Sequence, residues 1–431
     1  MAKSVKEKPT IAQELEIRRI KKPPAVIYPL LGRIWQLLYF KKLNVHVEYR
    51  FDHKKLKGAY LAVANHASRM DYIYTGIPLL PHRLNYVAGY NEFFRSHLAF
   101  VFKLLQVIPK RNFVPDVHAV REIMRIIKSG GRVMLFPEGM SSISGANQPV
   151  ALGSGKLIKS LKVPVLQIKI KGGYLTNTKY CLDERPGRID IVVDLLFTPE
   201  QLDSMSADEI QAKLNEALYH DDYAWNKQQR VKYKGSGRLA HNMHMLLYRC
   251  PKCGSEFTME GKGNCISCSH CGNAIELNSK YDLKPLEEGA IVPRTPREWF
   301  DMQREHVKRE VAKPGFMLKE DVRIGVLPDH ELLKEQKTSE IVGGGILTLD
   351  KTGLTFDGRR QGKDFKFHVD IKDLPTYGCC TDLSRFYTFV GGEFIEFYPA
   401  NPVTEKWFLA TEELHRQNGG AWKNAYENTL Q

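Results

Sequence analysis

The hydrophobic positions between residues 45 and 197 alternate between short apolar runs and runs at helical spacing. The apolar runs predict strands at 45–50, 60–64, 84–88, 132–136, 163–170 and 189–197. Between two of these strands, apolar residues from Val117 to Ile127 recur at helical spacing, and Gly130 and Gly131 end the predicted helix. This alternation predicts an α/β domain over residues 45–200, with a mixed, mostly parallel sheet and flanking helices.

The pattern changes after residue 200. Residues 201–245 are polar with helical spacing and are interpreted as a helical linker, and a cysteine cluster occupies residues 246–285. A charged helix near 296–312 precedes strand-like runs at 345–349, 365–371, 385–390 and 393–398. Residues 290–431 are therefore predicted to form a small β-rich C-terminal domain, whose pattern resembles the pleckstrin-homology-like barrels of lipid-binding domains.

Residues 1–44 combine a basic leader with an apolar segment. The leader ends in a cluster of cations at 18–22, the segment at 23–40 is rich in Ile, Leu, Trp, Tyr and Phe, and Lys41 and Lys42 follow it. An apolar, aromatic stretch between cations suits a helix that lies in a membrane interface. It also suits a helix packed on the domain behind it, and the sequence leaves both interpretations open.

Charge and composition narrow the range of partners. Lys and Arg exceed Asp and Glu by 63 to 49, and the net charge of +14 indicates an anionic partner such as a phospholipid surface, a nucleic acid or a phosphorylated substrate. No run of 18 or more residues is entirely apolar, and the polar first 22 residues do not have the pattern of a secretory signal. We expect a peripheral or monotopic protein at the cytoplasmic face of a membrane.

The cysteines predict a metal site. Five of the eight lie between residues 250 and 271. Four of these five form two Cys-x-x-Cys-Gly knuckles, at 250–254 and 268–272. Four thiolates suit the closed tetrahedral shell of a structural Zn²⁺. Cys265 also makes a Cys-x-x-Cys spacing with Cys268, but no glycine follows that pair. The predicted ligands are therefore Cys250, Cys253, Cys268 and Cys271, in a zinc ribbon.

The most informative chemistry lies directly after the strand predicted at 60–64. His66 and Asp71 are five residues apart, which places them about 140° apart on a helix and on opposite faces of a strand. Only a strand-to-helix turn lets the two side chains meet. In such a pair the carboxylate fixes the imidazole tautomer, and the other ring nitrogen accepts a proton from a hydroxyl. Because no Gly-x-Ser-x-Gly nucleophile motif is present, the pair suggests that the substrate's own hydroxyl attacks.

Four blocks carry a family resemblance: Asn-His-x-Ser-x-x-Asp at 65–71, a hydrophobic–basic block at 108–111, Phe-Pro-Glu-Gly at 136–139 and Val-Pro-Val at 163–165. In this order and spacing they resemble the glycerolipid acyltransferases, whose best-known members acylate 1-acyl-glycerol-3-phosphate. The resemblance covers roughly residues 45–200. It implies that His66 is the general base and Asp71 its partner, and that an acyl-CoA or acyl carrier protein thioester is the donor.

The resemblance also implies an acceptor site. Glu138 and Gly139 would lie at the acceptor-binding motif, and Lys110 and Arg111 are the nearest candidates for a contact with the acceptor phosphate. The family's third block usually continues Glu-Gly-Thr-Arg, whereas Met140 and Ser141 stand here, so the arginine expected to hold that phosphate is absent. This departure favours two alternatives: acylation of a different lipid, or an inactive lipid-binding or regulatory protein. The intact His66 and Asp71 favour an enzyme with a lysophospholipid acceptor.

Nucleic-acid binding is the least favoured class. A ribbon and a basic composition would support it, but the basic residues are spread along the whole chain and are not concentrated around the ribbon. The expected partners are therefore the membrane phospholipid surface, a lysophospholipid acceptor and the acyl thioester donor.

Overall fold

A seven-stranded sheet organises the N-terminal half of the chain. In the computed structural model, which describes residues 8–422, its strands are β1 (Val45–Tyr49), β2 (Tyr60–Ala64), β3 (Asn85–Gly89), β4 (Ile108–Lys110), β5 (Arg132–Leu135), β6 (Val165–Lys171) and β7 (Ile189–Phe197). The strand order is β1-β7-β6-β2-β5-β3-β4, and only the β6–β7 pair is antiparallel. The predicted mixed, mostly parallel sheet is confirmed.

Helices cover both faces of this sheet. The helices of the N-terminal half are α1 (Ile11–Ile17), α2 (Ile27–Trp35), α3 (Asp71–Gly76), α4 (Ser96–Leu104), α5 (Val117–Lys128), α6 (Ser154–Leu161), α7 (Gly173–Thr176), α8 (Pro199–Ser204), α9 (Ala207–Leu218) and α10 (Asp222–Gln229). The central strand β2 is wholly buried, with Leu61 and Val63 in the core that includes α5 and Tyr60 and Ala62 in the core that includes α3. Burial on both faces explains why β2 reads as a continuous apolar run.

Helix α5 shows how the local sequence sets its own ends. The Asp116 side chain accepts a hydrogen bond from the Ala119 amide at 3.0 Å and caps the first turn. Gly130 follows the helix with φ +76°, a conformation that glycine adopts without strain. The apolar side of the helix, including Ile123 and Ile126, packs against the sheet. The helix predicted from residue 117 to the two glycines is thus present.

The segment interpreted as a linker packs differently from that expectation. It is helical, but Ile210, Leu214 and Leu218 of α9 are buried in the same core as Leu61 and Ile126. Because these side chains help to cover the sheet, α9 belongs to the α/β domain. The domain therefore extends beyond the boundary that the sequence placed at residue 200, since polarity on the outer face of an amphipathic helix does not reveal what its inner face covers.

Two further sheets follow. The ribbon strands are β8 (Met259–Lys262), β9 (Cys265–Cys268), β10 (Ala274–Leu277) and β11 (Leu283–Pro285), in the order β11-β10-β9-β8. After α11 (Pro296–Val311), the C-terminal strands are β12 (Met317–Val326), β13 (Glu340–Asp350), β14 (Gly353–Arg360), β15 (Lys363–Asp370), β16 (Gly378–Cys379), β17 (Phe386–Val390) and β18 (Glu393–Pro399), and α12 (Thr404–Gln417) ends the fold.

The C-terminal sheet is antiparallel, with the order β15-β14-β13-β12-β18-β17-β16. Residues Trp407 and Phe408 of α12 pack into its core beside Phe386. The likeness to pleckstrin-homology-like barrels stays a prediction. The separate β-rich C-terminal domain predicted from the sequence is confirmed.

The C-terminal domain contacts the α/β domain directly. The Leu333 amide donates to the Phe94 carbonyl at 2.8 Å, and the Ser96 amide donates to the Leu333 carbonyl at 2.9 Å. Near the N-terminus, the Ile11 amide donates to the Asp329 carbonyl at 2.7 Å. Residues 8–22 are therefore held between the two domains. Among residues 8–422, no helix is long and apolar enough to cross a membrane.

Candidate active site

The ends of several parallel strands bring the sequence blocks together. His66 follows β2, Lys110 ends β4, the Phe-Pro-Glu-Gly block follows β5 and the segment with α7 follows β6. Because β2, β4, β5 and β6 run in the same direction, their carboxyl ends share one edge of the sheet. Open α/β sheets place their sites at this edge.

His66 and Asp71 meet across the turn that joins β2 to α3. The Nδ1 atom of His66 lies 2.7 Å from Oδ2 of Asp71. Asn65 fixes the start of the turn, since its side-chain amide donates to the Ile170 carbonyl at 2.8 Å and its Oδ1 accepts from the Ile170 amide at 2.7 Å. The turn is therefore held against β6, and the two side chains take the arrangement expected from their spacing.

The carboxylate of Asp71 is enclosed. Asp71 is only 1% exposed, and Ser68 donates to it from both its backbone amide and its hydroxyl, at distances of 2.9 to 3.0 Å. Burial raises the pKa of Asp71, while the hydrogen bonds from His66 and Ser68 oppose that shift. A buried carboxylate fixed by four contacts holds the imidazole in one orientation, so Nε2 is the ring nitrogen that can accept a substrate proton.

Phe136 fixes the plane of the imidazole. Its ring stacks on His66 with a centroid distance of 4.5 Å and an angle of 26° between the planes. The contact places an apolar surface against one face of the base, which limits its motion. The Phe-Pro-Glu-Gly block thus contacts His66 through its first residue.

Glu138 holds the backbone of the same loop. It is 1% exposed, and its carboxyl oxygens accept from the His66 amide at 2.8 Å, the Asn147 side chain at 2.7 Å and the Gln148 amide at 2.8 Å. Burial raises the pKa of Glu138 to about 8, although the hydrogen bonds from the His66 and Gln148 amides act in the opposite direction. The sequence resemblance placed Glu138 at the acceptor site, whereas its side chain is surrounded by protein donors and positions His66.

Gly139 allows the chain to turn after Glu138. Its φ is +74°, in the left-handed region that favours glycine, and its amide donates to the Phe136 carbonyl at 3.1 Å. Three residues further on, the chain returns to His66, since the Ser142 amide donates to the His66 carbonyl at 2.7 Å. Both backbone polar groups of His66 are therefore bound by residues 138–142.

Lys110 and Arg111 already have protein contacts. The Lys110 ammonium donates to the Arg111 carbonyl at 3.1 Å, and burial lowers the pKa of Lys110. The Arg111 guanidinium pairs with Glu16 at 2.8 Å and lies 4.6 Å from the centroid of the Tyr90 ring. Both stand at the site edge of the sheet, and their contact with a substrate phosphate stays a prediction.

Met140 and Ser141, where the family has threonine and arginine, contact residues far along the chain. The Cys379 thiol of the C-terminal domain lies 3.5 Å from the Met140 sulfur. The Lys179 ammonium, from the segment after α7, donates to the Ser141 hydroxyl at 3.2 Å. Lys179 could not be found from the sequence, because it belongs to no block and reaches the site only through the fold.

The four cysteines predicted as metal ligands lie together. The sulfur atoms of Cys250, Cys253, Cys268 and Cys271 are all within 4.8 Å of one another, while Cys265 at the start of β9 is outside the group. After each knuckle the chain turns through a glycine with positive φ, Gly254 and Gly272. Four converging thiols fit a tetrahedral metal shell, so this cluster could hold a metal ion.

A second group of possible ligands is occupied by a lysine. Glu256, His306 and Glu310 lie close enough to share an ion, but the Lys406 ammonium forms ion pairs with both glutamates. The lysine supplies the positive charge that a cation would bring. This group is therefore an ion-pair cluster that joins α11 and α12.

The fold and the His–Asp pair define a domain of the class that transfers a group to a substrate hydroxyl. The family model described as Acyltransferase matches residues 42–171. Residues 42–171 are thus an acyltransferase-family domain. The finding confirms the acyltransferase resemblance that the four sequence blocks carried.

Comparison with solved structures found similarity over part of the chain. One similar structure is the 1-acyl-sn-glycerophosphate (LPA) acyltransferase PlsC from Thermotoga maritima, with 20% sequence identity and a TM-score of 0.39. The similarity covers 47% of this chain and 79% of that one. No curated protein matches the sequence.

Proposed function

We propose that the chain moves a fatty acyl group from acyl-CoA or acyl carrier protein to the free hydroxyl of a lysophosphatidic acid-type acceptor, a step of phospholipid biosynthesis. The observation that carries the proposal is the 2.7 Å contact between His66 and a buried Asp71, inside a domain of the acyltransferase family. A thioester is already activated, so the reaction needs a base for the hydroxyl and no further energy source.

The steps follow from the geometry of the pair. Nε2 of His66 accepts the proton of the acceptor hydroxyl as its oxygen bonds to the thioester carbonyl carbon. The carbon–sulfur bond then breaks, the ester is released, and the proton passes from His66 to the departing thiolate. Asp71 stabilises the imidazolium that exists between these two proton transfers.

We propose that a phospholipid surface delivers the acceptor, at the cytoplasmic face of a membrane. Helix α2 and the turn after it expose apolar side chains outward, among them Leu30, Leu37 and Leu38, and Leu37 is 81% exposed. The inner side of the helix packs on the domain, with Trp35 at 6.3 Å from the Tyr72 ring, next to Asp71. The packing interpretation describes the inner side of the helix, and we propose that its exposed apolar side meets the membrane.

We propose that the cysteine cluster binds one Zn²⁺ that stabilises the ribbon. Four thiolates leave no open position on a tetrahedral ion, so the metal would have no role in acyl transfer. The ribbon contacts the α/β domain through Tyr281, which follows β10 and donates to the Leu175 carbonyl at 2.8 Å. A folded ribbon would in this way support the segment after β6.

The test is acyl transfer by purified protein, with lysophosphatidate, monoacylglycerol and other lysolipids as acceptors and both thioesters as donors. We expect transfer to lysophosphatidate by the wild type, and a loss of about 10²- to 10⁴-fold in His66→Ala. More than a tenth of wild-type turnover in a folded His66→Ala would contradict this mechanism. Transfer only to another lysolipid would correct the acceptor, and vesicle binding without any transfer would support the inactive alternative.

A further inference from the structure

Lys179 is a buried cation beside the catalytic loop. Its side chain is 7% exposed, and it follows α7, so the end of β6 brings it to the site edge of the sheet. In residues 8–422 no carboxylate lies within ion-pair distance of its ammonium, which donates to the Ser141 hydroxyl at 3.2 Å and also faces the Cys379 thiol. An ammonium has three donors, and a serine hydroxyl carries no charge to balance it.

The position of this ammonium is fixed from two sides. The Asp382 amide donates to the Lys179 carbonyl at 2.8 Å, so a loop of the C-terminal domain holds its backbone. Ser141 precedes Ser142, whose amide binds the His66 carbonyl at 2.7 Å. The Lys179 ammonium therefore contacts Ser141, and the next residue, Ser142, is hydrogen-bonded to the backbone of His66.

A buried charge without a counter-ion is unfavourable, and an anionic ligand would relieve it. A lysine ammonium is a compact point charge that suits a phosphate oxygen. Lys179 thus brings a positive charge to position 141, where the resemblance leads us to expect an arginine, from a segment about 40 residues later in the sequence.

We propose that Lys179 binds a phosphate oxygen of a substrate during acyl transfer. The inference rests on the proposed function, because the anion must belong to a molecule that reaches His66. Two substrates carry such a group: the phosphate monoester of the acceptor and the phosphates of coenzyme A. Binding measurements separate them, because each can be studied without the other and without turnover.

The experiment is calorimetry on the full chain in nonionic detergent, with lysophosphatidate, monoacylglycerol and coenzyme A titrated separately. Lys179→Met is compared with Lys169→Met, a half-buried lysine of β6. We expect Lys179→Met to weaken binding of one phosphate ligand roughly tenfold or more, the loss expected for a charged hydrogen bond. Loss of lysophosphatidate binding assigns the acceptor phosphate, and loss of coenzyme A binding assigns the donor. Monoacylglycerol binding and Lys169→Met should be unaffected.

A second variant restores a positive charge at the site from a neighbouring position. Ser141→Arg in the Lys179→Met background places a guanidinium at the neighbouring position, and we expect it to recover at least part of the lost affinity. If Lys179→Met does not fold, the wild type still tests the site, because glycerol 3-phosphate or coenzyme A should raise its melting temperature and glycerol or pantetheine should not.

Several outcomes overturn the inference. These are unchanged affinity for both phosphate ligands in Lys179→Met, an equal loss of monoacylglycerol binding, or a wild type that binds neither phosphate ligand. Because no donor is present with the acceptor, failure of the proposed function is seen separately. A wild type that transfers acyl groups while Lys179→Met binds normally contradicts only the role of Lys179. A protein without transferase activity that loses phosphate binding in Lys179→Met contradicts only the proposed function.

Discussion

The carboxylate of Glu138 holds the backbone amide of His66, with 2.8 Å between Oε1 and the His66 nitrogen. The same carboxylate binds Asn147 and the Gln148 amide, so it joins the catalytic turn to the loop after Phe-Pro-Glu-Gly. Glu138, which the sequence resemblance placed at the acceptor site, thus positions His66 and does not contact the substrate itself.

Replacing Glu138 should affect both stability and rate. In Glu138→Gln the new amide directs N–H donors at groups that already donate, so we expect about 1–3 kcal/mol of destabilisation and a lower kcat with little change in acceptor KM. Urea unfolding and steady-state kinetics measure the two effects. A large rise in acceptor KM with unchanged kcat would instead favour a direct contact with the substrate.

The raised pKa of Glu138 determines how the free energy of unfolding depends on pH. Because the folded state holds this proton up to a pKa of about 8 and the unfolded state releases it near 4.5, the free energy of unfolding should fall as pH rises between those values. The slope from this one group is at most about 1.4 kcal/mol per pH unit. Unfolding of the wild type and Glu138→Gln at pH 5, 6, 7 and 8 isolates it. Parallel curves for the two proteins would contradict the prediction.

Asp71→Asn tests whether turnover requires a charged partner for His66. The amide keeps the size of the carboxylate but cannot stabilise an imidazolium, so we expect a fall in kcat of at least about 10²-fold. Both oxygens of Asp71 accept hydrogen bonds, so the new N–H₂ group faces a group that already donates, and we expect a melting temperature below that of the wild type with the fold retained. Near-normal turnover in a folded Asp71→Asn would show that His66 does not depend on this partner.

Arg111 allows a test of the phosphate contact predicted from the sequence. If the guanidinium leaves Glu16 to bind the acceptor, Arg111→Ala should raise acceptor KM by the equivalent of about 1–3 kcal/mol. Glu16→Gln should then lower acceptor KM, because it removes the competing partner. If neither change alters acceptor kinetics and both lower stability, the pair serves to hold α1 on the domain.

Zinc content distinguishes the predicted ligands from the spare thiol. We expect one zinc per chain in the wild type and in Cys265→Ser, and its loss in Cys268→Ser. The reason is that Cys268 belongs to the converging group of four thiols and Cys265 does not. Elemental analysis after gel filtration gives the ratio. Zinc lost from both variants would assign the competing knuckle of Cys265 and Cys268.

Attachment to membranes should depend on the exposed side of α2 and the turn that follows. Leu37→Glu with Leu38→Glu changes side chains that point outward, so we expect flotation with anionic vesicles to fall strongly while the fold remains. Leu286→Glu, an exposed leucine after β11, is the matched control. Deleting residues 1–42 would be a poorer test, because Ile20 is buried in the core of the domain. Unchanged flotation of the double variant would place attachment elsewhere.

The parts of the fold that could be predicted are those specified by local pattern. The strand runs and the helix from Val117 are visible because burial requires apolar side chains at fixed spacing, and the His–Asp turn is visible because its spacing excludes a regular element. The strands β12 and β14 were not predicted. Charged residues such as Lys319 and Arg359 alternate there with apolar ones on exposed faces, which weakens the apolar run.

The parts that could not be predicted depend on contacts between distant residues. Lys179 meets Ser141 and Cys379 meets Met140 only after the strands have paired. The orientation of Glu138 toward the His66 amide likewise comes from tertiary packing. A sequence block can identify such residues, but it does not say whether a carboxylate faces a substrate or a neighbouring amide.

The apolar core that contains Met140 and Ile143 does not stop at the α/β domain. It continues without a break through ribbon residues such as Ile266 and into Phe386 of the C-terminal domain. Three regions that differ in sequence pattern therefore share one interior, and we expect them to unfold cooperatively. If the cysteine cluster holds the proposed zinc, its removal should lower the temperature of a single calorimetric transition, and we expect chelation to reduce acyl transfer although the metal takes no part in the reaction.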